Sequence, residues 1–419
     1  MGVAESCVQT VVLNGRTYCW PVRPTVVICM DGCDPLYIEQ GLQNRILPNI
    51  KKFMEEGFAA EAFSVIPSFT NPNNLSIVTG SPPSVHGIVG NFFLDPKTGA
   101  EIMMNDPKFL RSETLLAEFS KKNAKVVVIT AKNKLWRLLS HHLTGGISFS
   151  SERADHCNFE ENGIEGVLDM VGKPLPPVYS AELSLFVLEA GLKLLESMAP
   201  DLMYLSLTDY IQHKYGPGTQ EANSFLSLLD EAFGRFAALG ALVALTADHG
   251  MNDKSKADGS PNVTFLQDLL DQQFGPKHTK VICPITDPYV VHHGSLGSFV
   301  MVFCYRGLRP DIVMDYVGNL SGVEKVLDKE SACKEFDLPP DFVADLVVLG
   351  DSQTVFGSAK KDHDLSALEN RRLRSHGGLA EQKVPFILSK SLTKEYATLA
   401  ASRQLRNFDI FDFALNGTV

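Results

Sequence analysis

The sequence predicts an α/β protein with a mainly parallel central sheet flanked by helices. Two observations predict it: apolar runs rich in Val, Ile and Leu recur along the chain, and amphipathic stretches with helical spacing lie between them. Uninterrupted apolar runs belong to strands buried on both faces. Strands that alternate with helical patterns mark parallel crossovers.

In chain order, TVVICMD (25–31) reads as the first such strand and PNIKKFMEEG (48–57) as a helix. ETLLAEFSKKN (113–123) is an amphipathic helix that returns through the strand KVVVITA (125–131). AELSLFVLEAGLKLLESM (181–198) leads to DLMYLSLT (201–208), and ANSFLSLLDEAFGRFAAL (222–239) leads to ALVALTAD (241–248). VPFILS (384–389) is a further strand. Between about 260 and 350 the rhythm changes. KVICPITDPYVVHHGSLGSFVMVFCYRG reads as paired strands with a loop, SGVEKVLDKESACKEF as helical and DLVVLGD as a strand. Residues 261–349 are therefore expected to form an inserted, smaller α+β cap. The core is then 20–260 together with 350–419, since a histidine motif and VPFILS lie beyond the insert.

A chain of 419 residues can bury a large core, and its 44% hydrophobic and 21% charged residues suit a globular protein. The net charge of −11 argues against nucleic-acid binding, which needs an excess of Lys and Arg. No apolar run approaches the roughly 18 residues of a membrane span, so no membrane partner is expected. The first residues lack the basic start and apolar core of a secretion signal, although Gly2 with Ser6 fits the loose myristoylation pattern. The eight cysteines show no CxxC pair, so a reduced, cytoplasmic protein is expected. A homodimer is the usual form of a soluble oligomer.

The chemistry concentrates at strand ends. Asp31, Asp209 and Asp248 each stand one or two residues past an apolar run. Ligands in open α/β sheets bind beyond the carboxyl ends of the strands, so the three acids should share one edge. His213 follows Asp209 by four residues, which puts both on one face if a helical turn begins there. His249 adjoins Asp248, and His376 lies in the Gly-flanked SHGG loop before VPFILS. Each signal has a plainer reading: an acid after a strand is more often a helix N-cap, and a loop histidine more often a polar surface residue. Four such signals on one sheet outweigh those readings. Three Asp and three His suit two zinc ions with mixed oxygen and nitrogen ligation, and the same donors accept manganese or iron.

A dimetal site about 3.5–4 Å across can clamp the attacking and leaving oxygens of an in-line displacement. Thr70, in VIPSFTNPNNLSIVTG, is the candidate nucleophile. It stands where a helix should start, and free amides there favour an alkoxide and an incoming phosphoryl group. A plain threonine N-cap is the alternative. A catalytically silent metal-binding interaction protein would have no need of a hydroxyl at position 70.

On the strings CMDG, SFTNPNNLSIVTGSPPSVHGIVGN, TDYIQHKYGP, TADHGM and SHGG, the chain resembles the alkaline phosphatase superfamily, within it the nucleotide pyrophosphatase/phosphodiesterase-like branch. The resemblance implies an alkaline-phosphatase-like core. It also implies that Asp31, Thr70, Asp248 and His249 bind one zinc and Asp209, His213 and His376 the other. Thr70 is then transiently phosphorylated, and Asn91 donates a hydrogen bond to a phosphoryl oxygen.

Lys132 and Lys134 follow the strand end of KVVVITA, on the same edge as these acids. A solvated pair on a turn is their plain reading. The AKNKLW element that contains them resembles members of the superfamily that cleave the carbon–phosphorus bond of phosphonoacetate to acetate and phosphate. That resemblance implies a small phosphonate as substrate, its carboxylate held by the two lysines. A phosphodiesterase or nucleotide pyrophosphatase is the nearest alternative. His292 and His293, beside a glycine in the cap, are ordinary loop residues or part of a closure over the substrate.

Overall fold

The computed structural model describes residues 9–95, 97–286, 294–368 and 371–419. Gly2, Ser6, Cys7, His292 and His293 therefore lie outside the described residues. Eight strands form the main sheet, in the order Leu405–Arg406, Phe58–Phe63, Lys383–Leu388, Leu242–Thr246, Thr25–Cys29, Leu202–Ser206, Val126–Thr130 and Ile147–Ser150. All neighbours run parallel except where Lys383–Leu388 pairs antiparallel with Leu242–Thr246 and Phe58–Phe63. Four of the strands expected from the sequence, at 25–29, 126–130, 202–206 and 242–246, are buried at every residue. That is why they read as unbroken apolar runs and not as alternating ones. The helices Glu182–Met198 and Gln220–Ala238 pack on each other and on this sheet.

Phe58–Phe63 and Ile147–Ser150 were not expected as strands. FAAEAF is alanine-rich with a central acid and ISFS is short, so neither has the β-branched run that marks a buried strand.

The segment after residue 261 contributes a second, antiparallel sheet in the order Thr279–Ile282, Phe299–Cys304, Leu346–Gly350, Val323–Asp328. One expectation is corrected here. SGVEKVLDKESACKEF is not helical throughout: Val323–Asp328 pairs with Leu346–Gly350, and the helix starts at Lys329. The switch falls at Asp328, whose carboxylate accepts the Ser331 amide proton at 2.7 Å and caps the helix. A second correction concerns the cysteines. Cys19 is disulfide-bonded, whereas the other described cysteines, Cys29, Cys33, Cys157, Cys283, Cys304 and Cys333, are free. Pairing depends on Cα atoms approaching within about 7 Å, which chain spacing does not reveal.

Helix Pro48–Glu56 has no capping side chain of its own, its N-cap being Leu47. Buried Asp230 on helix Gln220–Ala238 does that work across the packing interface. It accepts from the Asn49 amide at 3.0 Å, the Ile50 amide at 2.7 Å and Asn49 Nδ2 at 2.9 Å. Replacing Asp230 with Ala strands those donors, so Asp230→Ala should lower unfolding stability in urea by about 2–3 kcal/mol. A loss under about 0.5 kcal/mol would show that water replaces the carboxylate.

Candidate active site

The register of the sheet brings the acids together. Cys29 pairs with Thr246 on one side and Ser206 on the other, so three strands end level with one another. Asp31, Asp209 and Asp248 leave those ends within two or three residues, and all three are buried. Phe58–Phe63 is parallel to the same strands and delivers the 64–70 loop to that edge, where the helix Thr70–Thr79 begins. Because Lys383–Leu388 runs the opposite way, the loop before it arrives at the same edge and carries His376. Val126–Thr130 likewise ends there and leads to Lys132 and Lys134.

Asp31 is not a helix cap, since Asp34 caps Pro35–Gln43. Nor is Thr70 one. It is the first residue of its helix, after Phe69 at the N-cap position, and its Oγ1 lies 3.4 Å from His249 Nε2. Asp209 and His213 sit on one helical turn, with Asp209 Oδ2 2.8 Å from His213 Nε2 and 3.9 Å from His376 Nε2. His249 Nε2 lies 3.3 Å from Asp31 Oδ1 and 3.8 Å from Asp248 Oδ2. The His249 and His376 rings stack at 3.5 Å.

The three rings share one arrangement. Each Nδ1 meets a backbone carbonyl: His213 that of Arg374 at 2.8 Å, His249 that of Gly250 at 2.9 Å and His376 that of Ser68 at 2.8 Å. With Nδ1 at a carbonyl, each ring turns Nε2 toward the carboxylates, the nitrogen that a metal ligand offers once its proton has left. Among the described residues, two groups of donors lie within 4.8 Å of one another: Asp209 with His213 and His376, and Asp31 with Asp209 and His249. Asp209 belongs to both.

The electrostatics point the same way. Burial, then the Asp209 and Asp248 carboxylates, push the Asp31 carboxyl well above its ordinary range. Burial pulls His249 down, but Asp248 and Asp31 outweigh it and hold its imidazolium up to about 10. Burial, His249 and His213 push His376 well below its ordinary value. Three carboxylates buried together repel one another, and a divalent cation is the partner that relieves them with oxygen and nitrogen donors already in place. The residues present thus fit a metal pair.

Asn91 is held by its backbone, donating from N to the Pro284 carbonyl at 2.8 Å and accepting the Met104 amide proton at 2.8 Å. Its side-chain Oδ1 is buried without a hydrogen bond. Lys132 and Lys134 are half-buried at the start of helix Asn133–Leu139, which packs against the Thr70 helix.

Two positioning residues were not singled out from the sequence. Asn74, one turn after Thr70, donates to the Thr70 carbonyl at 3.0 Å and to Asp248 Oδ2 at 3.2 Å, and accepts from Tyr204 and Ser206. Its i+4 spacing from Thr70 inside the NPNN run was the available signal. Arg374 orients His213 through its carbonyl, and its guanidinium holds the Gln212 and Met251 carbonyls. Nothing local in RRLRSHGG distinguishes it from the neighbouring arginines. Gly377 has φ +122°, and a Cβ there would meet the Phe69 ring at 2.4 Å, so only glycine lets the His376 loop pass this ring.

The sheet thus gathers three aspartates, three histidines and a helix-leading threonine at its carboxyl edge, the side chains expected of the alkaline phosphatase superfamily. Residues 25–379 match the type I phosphodiesterase/nucleotide pyrophosphatase family, and the chain belongs to it. The phosphonoacetate hydrolase of Sinorhizobium meliloti, solved with phosphonoformate and with phosphonoacetate, is 48% and 47% identical in the two structures. In each the TM-score is 0.93 over 98% of this chain and 99% of that chain. Murine ectonucleotide pyrophosphatase/phosphodiesterase 5 shares the fold at 17% identity, with a TM-score of 0.62 over 93% of each chain. An uncharacterised pyrophosphatase/phosphodiesterase of Schizosaccharomyces pombe is 26% identical over 58% of this chain and 44% of that protein. The chain spans less than half the length of the curated relatives it matches.

The raised His249 and Asp31 values give a pH dependence to the metal-free protein. A group whose folded value is raised stabilises the fold below its unfolded value and loses that contribution as pH rises through the folded one. For His249 the window runs from about 6.5, the unfolded value, to about 10, and Asp31 adds in the same direction. Chelator-stripped protein should therefore melt at progressively lower temperature between about pH 6.5 and 10. A flat or rising melting temperature would contradict this electrostatic account.

Proposed function

We propose that the chain hydrolyses the carbon–phosphorus bond of phosphonoacetate, releasing acetate and phosphate. The observation that carries this reading is its full-length likeness to a phosphonoacetate hydrolase solved holding phosphonoacetate. Supporting it are five Asp and His side chains grouped at the sheet edge, with His249 Nε2 3.4 Å from Thr70 Oγ1.

Asp31, Thr70, Asp248 and His249 would hold one zinc, and Asp209, His213 and His376 a second. When bound, these ions neutralise the phosphonate oxygens and lower the pKa of the Thr70 hydroxyl. Thr70 Oγ1 attacks phosphorus in line, forming the phosphothreonine as the carbon–phosphorus bond breaks. The electron pair goes to carbon and spreads into the adjacent carboxylate as an enediolate, which takes a proton from water to become acetate. Water then cleaves the phosphothreonine, giving phosphate and the Thr70 hydroxyl again. Lys132 and Lys134 hold the substrate carboxylate, where negative charge grows, so they stabilise the transition state more than the ground state. Asn91 donates to a phosphoryl oxygen through its amide.

Residues 261–349 act as the cap in this reading, over a core of 20–260 and 350–419. The contact of Asn91 with Pro284 supports a role for the insert beside the substrate. Among the described residues no helix is long and apolar enough to cross a membrane. Six described cysteines are free, which suits a cytoplasmic location, and the Cys19 disulfide counts against it.

Zinc-loaded protein should release phosphate from phosphonoacetate, and chelation should abolish this until zinc is restored. Thr70→Ala should lower kcat by on the order of 10⁴ and leave no acid-stable phosphothreonine to trap. Lys132→Ala or Lys134→Ala should each cost about 10–100-fold in kcat/KM on phosphonoacetate, the equivalent of losing a hydrogen bond to a charged group. An aryl phosphate ester should be turned over nearly as before. Equal losses on both substrates would remove the carboxylate role from the lysines. The family match keeps a phosphodiesterase as the competing reading, and better turnover of p-nitrophenyl thymidine phosphate than of phosphonoacetate would favour it.

A further inference from the structure

Lys254 and Glu381 are both fully buried and form an ion pair at 2.8 Å. A buried Lys–Glu pair contributes little net stability, because desolvation offsets most of the attraction. Its partners show what else it does. Glu381 Oε2 accepts the amide proton of Gly378, two residues after His376, at 3.0 Å. Glu381 Oε1 accepts from Lys254 Nζ and from Asn252 Nδ2 at 2.7 Å, on the segment that follows Asp248 and His249. Lys254 Nζ also donates to the carbonyls of Asp351 at 3.4 Å and Ser352 at 3.0 Å, just past the second-sheet strand Leu346–Gly350. Three segments that meet nowhere in sequence are thus tied at one charged node.

The His376 loop depends on that node. On one side the Ser68 carbonyl faces His376 Nδ1, and Ser68 Oγ donates to the Gly378 carbonyl at 2.8 Å. On the other, the His376 carbonyl accepts the amide proton of Ser298 from the second sheet at 2.9 Å. The Glu381 bond to Gly378 closes the loop from below. His213 Nδ1 instead faces the Arg374 carbonyl. The Gly250 carbonyl that meets His249 Nδ1 is linked to Glu381 through the backbone, the Gly250 amide donating to the Glu381 carbonyl at 2.7 Å, a bond that side-chain substitutions leave in place.

We propose that Lys254 and Glu381 are positioning residues that lock the His376 loop to the second sheet, and so set the affinity of the Asp209–His213–His376 metal half-site. The inference rests on the metal-site reading above. It makes the second sheet a support of one half-site and not merely a cover.

The test is zinc content at buffered free zinc, measured on the full chain alongside melting temperature. At a free-zinc level where the wild type holds two ions per chain, Glu381→Gln and Lys254→Met should hold close to one. The affinity of the lost site should fall about 10–100-fold, as for other residues that orient a ligand. The single variants each leave one buried charge unpaired and are expected to melt lower. The double variant Lys254→Met with Glu381→Gln removes both charges, so its melting temperature should return toward wild type while the second zinc stays weak. Recovery of both zinc ions in the double variant, or its failure to fold, would make the pair a stability element and overturn the proposal. Wild-type protein that binds no zinc would instead overturn the metal-site reading on which it rests.

Discussion

Three aspartates buried at one edge of a sheet repel one another, and the elements around that edge are arranged to bear that repulsion. Asp31, Asp209 and Asp248 come from adjacent strands whose ends are level, so their crowding follows from the register itself. Three imidazoles face them with Nε2, each ring meeting a backbone carbonyl through Nδ1. Asn74 donates to Asp248 Oδ2, and the Gly32 and His249 amides donate to its Oδ1. The cluster is unfavourable in isolation and well formed for a cation, as expected of groups shaped for binding and not for stability.

The topology answers the same demand. A wholly parallel sheet would deliver only the residues that follow its strands to the carboxyl edge. Reversing Lys383–Leu388 brings the loop before that strand to the edge as well, so His376 reaches the cluster from the opposite chain direction. The helix Thr70–Thr79 starts at this edge with no capping side chain at Phe69. Its free amides and its first-position threonine are therefore left to face the site, and Asn73 and Asn74 anchor the helix from behind.

Much of the fold was legible because its central strands are buried on both faces. Val, Ile and Leu accumulate there without a polar alternation, and five of the eight main strands stand out for that reason. Phe58–Phe63 and Ile147–Ser150 carry alanine, serine and a charge, and their strand identity comes from their neighbours. VEKVLD illustrates the same limit, since Val323, Val326 and Leu327 follow the helical i, i+3, i+4 spacing and pairing with Leu346–Gly350 overrides it. At the site, adjacent or helically spaced pairs such as Asp248–His249 and Asp209–His213 were readable locally, and so was the hydroxyl at Thr70. Arg374 and the Lys254–Glu381 pair were not, because a buried cation cannot be told from a surface one before its burial is known.

The sequence by itself determined which carboxylates, imidazoles and hydroxyl stand at strand ends, and hence which polar groups the edge can present. Only the tertiary structure decided how they are shared and held. Asp209 stands between two donor groups, His249 stacks on His376, and the carbonyls of Ser68, Gly250 and Arg374 fix the ring orientations. Those are contacts between residues up to some three hundred positions apart in the chain. Local spacing specifies what a side chain can do, and only packing specifies what it faces.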